Sequence, residues 1–159
     1  MTFYALVDSP LGRVTIQATD QGLTGLWFEE HTTQPEHLGE LQAHHPVLLL
    51  TKQQLSEYFS GERTCFEIPL AAKGTPFQMQ VWQALCDIPY GHLMSYQELA
   101  DYIGNPKAVR AVGSANGKNP ISVIVPCHRV IGKSGKLTGY AGGVARKQAL
   151  LNLEDQADS

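Results

Sequence analysis

The 159-residue sequence predicts an α+β fold in two parts: a small amino-terminal antiparallel sheet carrying one packed helix, then a mainly helical region. Three observations predict it. Apolar residues alternate in three short runs before residue 30, the apolar spacing becomes helical after residue 75, and Ala71-Ala72-Lys73-Gly74 reads as a linker between them. The division falls at residues 1–73 and 74–159. With 43% hydrophobic residues the chain can bury a core, as one medium domain or as two small ones sharing an interface.

Phe3 to Val7, Arg13 to Ala18 and Leu23 to Phe28 are the three strands, and Asp8-Ser9-Pro10-Leu11-Gly12 and Asp20-Gln21-Gly22 supply turn chemistry between them. Short turns make the three an antiparallel meander. Glu29 to Pro46 is polar and irregular, after which Val47 to Ser60 sets Leu48, Leu55, Tyr58 and Phe59 at helical spacing, with Gly61 as a stop. Phe66-Glu67-Ile68-Pro69-Leu70 alternates like a further strand. Thr75 then caps a helix from Pro76 whose apolar face is Phe77, Val81, Trp82 and Leu85, ending before Pro89-Tyr90-Gly91. Ser95 and Glu98 form a capping box on a second helix buried through Leu99, Ala100 and Ile103. Gly104-Asn105-Pro106 ends it, and a third helix runs from Lys107 toward Gly117, so the pair reads as a helix-turn-helix. The same turn also joins helices in proteins that never meet DNA. Gly132-Lys133-Ser134-Gly135-Lys136 is a basic loop where a wing would lie, and Leu137 to Gly143 is a glycine-rich, pliable segment. Val144 to Leu153 closes the pattern as a helix expected to turn Ala145, Leu150, Leu151 and Leu153 inward, with Glu154 at its end.

The net charge of −3 hides an asymmetry. Residues 1–73 hold four basic against nine acidic groups, a net of −5, whereas residues 74–150 hold eight against three, a net of +5. A local basic excess suits phosphates, although scattered surface charge has the same composition. Cys65, Cys86 and Cys127 are too few and too far apart for a disulfide framework and fit a reducing compartment. His31, His37, His44 and His45 lie in a polar stretch without a neighbouring cysteine, which favours solvent-exposed histidines, with a metal site as the minor reading. No apolar segment approaches a membrane span, so the expected location is the cytoplasm.

Chemistry concentrates at Pro126-Cys127-His128-Arg129-Val130, which follows the apolar run Ile121-Ser122-Val123-Ile124-Val125, expected to be a buried strand. A thiol attacks as the thiolate, and an imidazole is a common means of making one near neutral pH. Neighbouring side chains on a straight strand point to opposite faces, so Cys127 and His128 cooperate only if the chain bends, as Pro126 allows, or a water bridges them. The third helix adds a second signal: Ala108, Val109, Ala111, Val112, Gly113, Ser114 and Ala115 are small, and Arg110 alone among them is long. Such a helix can lie in a nucleic-acid groove with the arginine entering the base stack, or its arginine can simply meet a surface carboxylate.

Tyr90-Gly91, Ser95-Tyr96, Gly104-Asn105-Pro106-Lys107-Ala108, Arg110-Ala111-Val112-Gly113, Asn119-Pro120, Pro126-Cys127-His128-Arg129-Val130 and Tyr140-Ala141-Gly142-Gly143 together resemble the O6-alkylguanine-DNA alkyltransferases, also called methylated-DNA-protein-cysteine methyltransferases. The likeness covers residues 75–154 in order and spacing, and Ser9-Pro10-Leu11-Gly12 resembles the amino-terminal domain more loosely. It implies a ribonuclease H-like first domain and a winged helix-turn-helix second one. It further implies an irreversible, single-use transfer of an alkyl group from O6-alkylguanine, with O4-alkylthymine a further substrate, to Cys127 after base flipping in double-stranded DNA. By the same resemblance His128 deprotonates Cys127 through a water, Glu154 orients His128, and Asn119 braces the turn. Tyr96 crowds the target's phosphate and bonds the flipped base, Arg110 fills the vacated stack, and Ala111, Ser114, Arg129, Tyr140 and Gly142 belong to the DNA and base contacts. Backbone groups of Cys127, Val130 and Ala141 read the base edge. Position 141 is Ala where some relatives have Ser, which leaves the backbone amide as its donor. Some relatives bind zinc through amino-terminal cysteines and histidines; this chain has no cysteine before Cys65, and neither a metal nor a cofactor is expected. The expected working form is a monomer. Two other classes compete: a winged-helix or lesion-flagging protein that binds DNA without repairing it, whose alkyltransferase-like examples lack the acceptor cysteine, and a cysteine hydrolase with turnover, which leaves the helix-turn-helix unused.

Overall fold

The computed structural model describes residues 1–29, 34–133, 135, 137 and 140–156. Strands β1 (Phe3–Ser9), β2 (Gly12–Thr19) and β3 (Gly22–Phe28) form the antiparallel meander, with Ser9 opposite Gly12 at the first hairpin. Gly12 has φ of 116°, a left-handed conformation that glycine adopts without strain. A fourth strand, β4 (Glu40–Leu41), adds in parallel to β1, giving the order β3-β2-β1-β4. It lies in the stretch expected to be irregular. Both its residues are exposed, so it carries no apolar alternation and pairs through backbone alone, as in Glu40 N–H to Thr2 O at 3.0 Å.

Helix α1 (Pro46–Phe59) packs Leu48, Leu55 and Tyr58 against the sheet. His45 caps it, its ring accepting from Val47 N–H and stacking on Phe3 at 4.8 Å, whereas His37 and His44 are exposed. His31 lies outside the described residues. Phe66 to Leu70 is not the expected strand. Among the described residues its backbone pairs with the sheet only where Leu23 N–H donates to Pro69 O and Ala71 N–H to Leu23 O, because Pro69 has no N–H to extend a ladder.

The second part begins with α2 (Pro76–Leu85), whose Thr75 and Gln78 form a capping box. Strand β5 (Met94–Ser95) leads into α3 (Tyr96–Tyr102), with the Ser95 and Glu98 capping box formed, and Gly104 at φ 77° turns the chain toward α4 (Val109–Gly117). Helix α4 starts two residues later than expected, since Lys107 and Ala108 supply no side-chain cap. Trp82 on α2 donates its indole N–H to Ala115 O at 2.8 Å, tying α2 to α4. Strand β6 (Val130–Ile131) pairs in parallel with β5. Of the wing loop, Ser134 and Lys136 lie outside the described residues, as do Thr138 and Gly139 of the pliable segment. Helix α5 (Val144–Gln156) buries Lys147, Leu150 and Glu154, while Ala145, expected inside, is exposed. One apolar cluster runs from Ile16, Leu26 and Phe28 of the sheet to Leu85, Val112, Ile121 and Leu150, so both parts share a core.

Candidate active site

The end of β3 anchors the turn that holds Cys127. Leu26 N–H donates to Pro120 O at 2.8 Å and Ser122 N–H to Leu26 O at 3.3 Å, which fixes Ile121 beside the sheet. The chain then leaves it. Ile121 to Val125 is buried but is not the strand expected of so apolar a run, because the carboxamide of Asn119 takes the groups that a ladder would use. Asn119 Nδ2 donates to Val125 O at 2.8 Å, and its Oδ1 accepts from Ile121 N–H at 3.0 Å. Val123 is forced to φ 72° as Ile124 N–H closes on Ser122 O at 2.8 Å, a strained three-residue turn for a β-branched residue. Pro126, at φ −81° and ψ 65°, makes a three-residue turn of the opposite, unstrained hand, closed by Cys127 N–H on Val125 O.

Cys127 to Arg129 is a 3-10 helix. With three residues per turn, successive side chains leave about 120° apart, and this removes the opposite-face problem of a straight strand. Cys127 is buried, and burial pushes its thiol up; Asn119, Ser122 and the charge of Lys147 pull it back. Lys147 is also buried and donates from Nζ to Val130 O at 2.6 Å. Tyr140 closes the same space, its phenol pushed up by burial and by negative charge at Cys127.

His128 has 0% exposure and meets Glu154 Oε2 through Nε2 at 2.7 Å. Although burial opposes its ionisation, Glu154 is held down to about 2 by hydrogen bonds from His128 and Arg129 and by their charge. An ionised carboxylate only accepts, so Nε2 carries the hydrogen and Nδ1 presents its lone pair. Nδ1 is buried and has no hydrogen-bond partner among the described residues. Burial also lowers the imidazole's own titration, favouring the neutral form that can take a proton. Arg129 completes the carboxylate, with Nε to Oε1 at 2.8 Å and Nη2 to Oε2 at 3.0 Å, while Nη1 donates to Ile88 O and the guanidinium lies over the Tyr90 ring. This corrects its expected place among the DNA contacts: Arg129 is 7% exposed and turned inward, because a buried carboxylate demands a buried cation.

The remaining expected contacts lie elsewhere. Arg110, Ala111 and Ser114 are exposed on α4, and the Arg110 side chain makes no hydrogen bond or ion pair with the described residues. Tyr96 opens α3 half-buried, its ring 3.8 Å from where a side-chain carbon at Gly113 would stand. Val130 and Gly142 are buried, and Ala141 is half-buried.

Comparison with known proteins bears on this arrangement. Residues 2–72 match the family model described as the 6-O-methylguanine DNA methyltransferase ribonuclease-like domain, and residues 76–156 match that of its DNA binding domain. The chain belongs to the 6-O-methylguanine DNA methyltransferase family. Methylated-DNA-protein-cysteine methyltransferase of Mycolicibacterium paratuberculosis is 51% identical over 97% of this chain and 93% of its own, and the constitutive one of Bacillus subtilis is 47% identical over 97% and 96%. The crystal structure of O6-methylguanine methyltransferase from Mycobacterium tuberculosis superposes with a TM-score of 0.90 at 50% identity, covering 99% of this chain and 94% of that one. The same organism's protein in complex with DNA gives 0.88 at 50% identity, over 98% and 94%. As a member of this family the protein is a DNA-binding repair enzyme that transfers an alkyl group to a cysteine of its own, once.

Three residues of this methyltransferase site escape a reading of the sequence. Lys147 left a trace, since it falls at helical spacing with Leu150 and Glu154 on one buried face. Ser122 reads as one polar residue in a buried run. Tyr58 left none: its hydroxyl donates to Glu154 Oε2 at 2.5 Å, across 96 residues of sequence.

Proposed function

We propose that Cys127 is the acceptor and that His128, through a bridging water at its bare Nδ1, is its base, with an O6-alkylated guanine flipped from duplex DNA as substrate. The observation that carries this reading is the imidazole locked by Glu154 with its second nitrogen buried and unpartnered beside the acceptor turn. The thiol proton passes by way of the water to Nδ1. The sulfur lone pair forms the new carbon–sulfur bond as the carbon–O6 bond breaks, and its electrons stay on O6. The restored guanine then takes a proton at N1, so the net change is thiol to thioether and alkylguanine to guanine. Nothing regenerates the thiol.

Asn119 holds the turn that aims the sulfur, and Lys147 favours the thiolate by charge. On the DNA side, Arg110 fills the vacated stack while Ala111 and Ser114 let the helix approach the groove; Tyr96 meets the flipped nucleotide. Tyr140, Ala141, Gly142 and the backbone of Val130 surround the base. We assign residues 1–73 and 74–159 to two domains, with one chain sufficient for repair, and place the work in the cytoplasm. All three cysteines are free thiols, and no helix among the described residues is long and apolar enough to cross a membrane.

The test mixes the protein with duplex DNA carrying labelled O6-methylguanine. One methyl per protein on the Cys127 peptide, with no later turnover, is expected, as is loss of labelling but not of DNA binding in Cys127→Ser. Label on Cys65 or Cys86, or continued turnover, would overturn the assignment. DNA affinity should also fall as salt rises, through counterion release.

A further inference from the structure

The carboxylate behind the acceptor is held from outside its own domain. Tyr58 lies on α1, buried, and its phenol O–H points at Glu154 Oε2, the oxygen that also accepts from His128 Nε2 at 2.7 Å and Arg129 Nη2 at 3.0 Å. With Arg129 Nε on Oε1, four donors converge on one ionised carboxylate, three of them on Oε2. The ring itself is fixed, with Phe59, Phe66 and Tyr90 packed around it at 5.3, 5.2 and 6.1 Å between centroids.

We propose that Tyr58 is a positioning residue for alkyl transfer: its hydrogen bond to Glu154 sets the orientation and basicity of His128, which makes the amino-terminal half part of the acceptor machinery. The inference rests on the assignment of His128 as base for Cys127. An oxygen shared by several donors gives each a weaker bond than it would give one alone. The phenol therefore tempers the pull of Glu154 on Nε2–H and so restrains the basicity of Nδ1 on the far side of the ring. It also pins the oxygen on the imidazole's axis. Burial and the charge of Glu154 push the phenol's titration far up, so it donates at every working pH and is no proton relay. The groups that face this pair are Arg129 from the 3-10 helix, Lys147 and Glu154 from α5, and Tyr90 from the loop after α2. Arg129 and Lys147 disfavour an imidazolium, and Glu154 favours it.

The experiment measures single-turnover methyl transfer from duplex O6-methylguanine DNA, with protein in excess, from mildly acidic to mildly basic pH. In Tyr58→Phe the transfer constant should fall about tenfold, the range in which outer partners of a functional histidine act. The acid limb should move to higher pH, because the released carboxylate makes His128 more basic. DNA affinity should not change. A variant with the wild-type constant and acid limb would overturn the proposal, since a packing role lowers stability without moving that limb. Should Tyr58→Phe fold poorly, 3,5-difluorotyrosine at position 58, a stronger donor of nearly the same shape, should move the limb to lower pH; an unmoved limb overturns the proposal equally. Label on another cysteine in the wild-type protein would instead overturn the assignment of Cys127.

Discussion

The acceptor turn and helix α4 are consecutive in the chain and opposite in construction. From Ile121 to Val130 every residue is buried, and Asn119 and Arg129 at its ends spend their polar atoms on it. On α4, Arg110, Ala111 and Ser114 face solvent and contribute little to the packing of the fold. The turn acts by excluding water and fixing the positions of charges, which are far more effective there than in solvent. The helix acts by being available. In the proposed mechanism a residue of the turn therefore serves folding and chemistry together, whereas a residue of the exposed helix face is left to the encounter with DNA.

Glu154→Gln should break that comparison most severely. An amide can donate as well as accept, so it no longer dictates which nitrogen of His128 carries the hydrogen, and transfer should fall roughly 10²- to 10⁴-fold. Arg129 would lose its buried counter-charge, at a cost of about 3–5 kcal/mol read as a lower urea midpoint. A variant that lost activity but kept its midpoint would show that chemistry and folding can be separated in the turn.

Acid should act next. The Glu154 carboxyl titrates at about 2 in the folded protein against an ordinary 4.5, so its contribution to stability is complete above the ordinary range and lost as pH falls toward 2. That linkage is worth about 3 kcal/mol. His128, lowered from 6.5, acts in the same direction: the unfolded chain takes its proton first, so stability declines as pH drops below that value. Urea titrations should show both declines in the wild type, and the lower one should be lost in Glu154→Gln.

Arg110→Ala sharpens the other side. Transfer from duplex DNA should slow about 10- to 100-fold, the cost of a few kcal/mol or less in holding an extrahelical base. Transfer from free O6-methylguanine should be unchanged, and the urea midpoint should stay within about 0.5 kcal/mol of the wild type. Smallest of all, Gly113→Ala should stabilise by roughly 0.5–1 kcal/mol, because an alanine suits a helix interior better. Its new carbon would meet the Tyr96 ring at 3.8 Å, an ordinary contact, so a lower thermal midpoint would mean the ring is held more tightly than that distance implies.

Local signals account for what the sequence made legible. The Thr75 cap, the Ser95 capping box and the meander turns each depend on residues a few positions apart, and these formed; the stripe on α5 formed in part, with Leu150 buried and Ala145 exposed. The two strands that did not follow expectation depended on competition. At Ile121 to Val125 the Asn119 carboxamide outbids a ladder, and at Phe66 to Leu70 a proline interrupts one. In the proposed site, the chemistry or family motif of Cys127, His128, Asn119 and Glu154 is written in short segments. Arg129 sits in the same motif, but only the fold reveals that its guanidinium pairs with Glu154. Tyr58 carries no local mark at all.

Chain order gives the carboxylate a temporal meaning. Glu154 follows His128 by 26 residues and reaches it only once α5 has docked. A ribosome therefore releases the thiol first and its activator later. Until α5 docks, a growing chain carries Cys127 and His128 without the carboxylate that fixes which ring nitrogen bears the hydrogen.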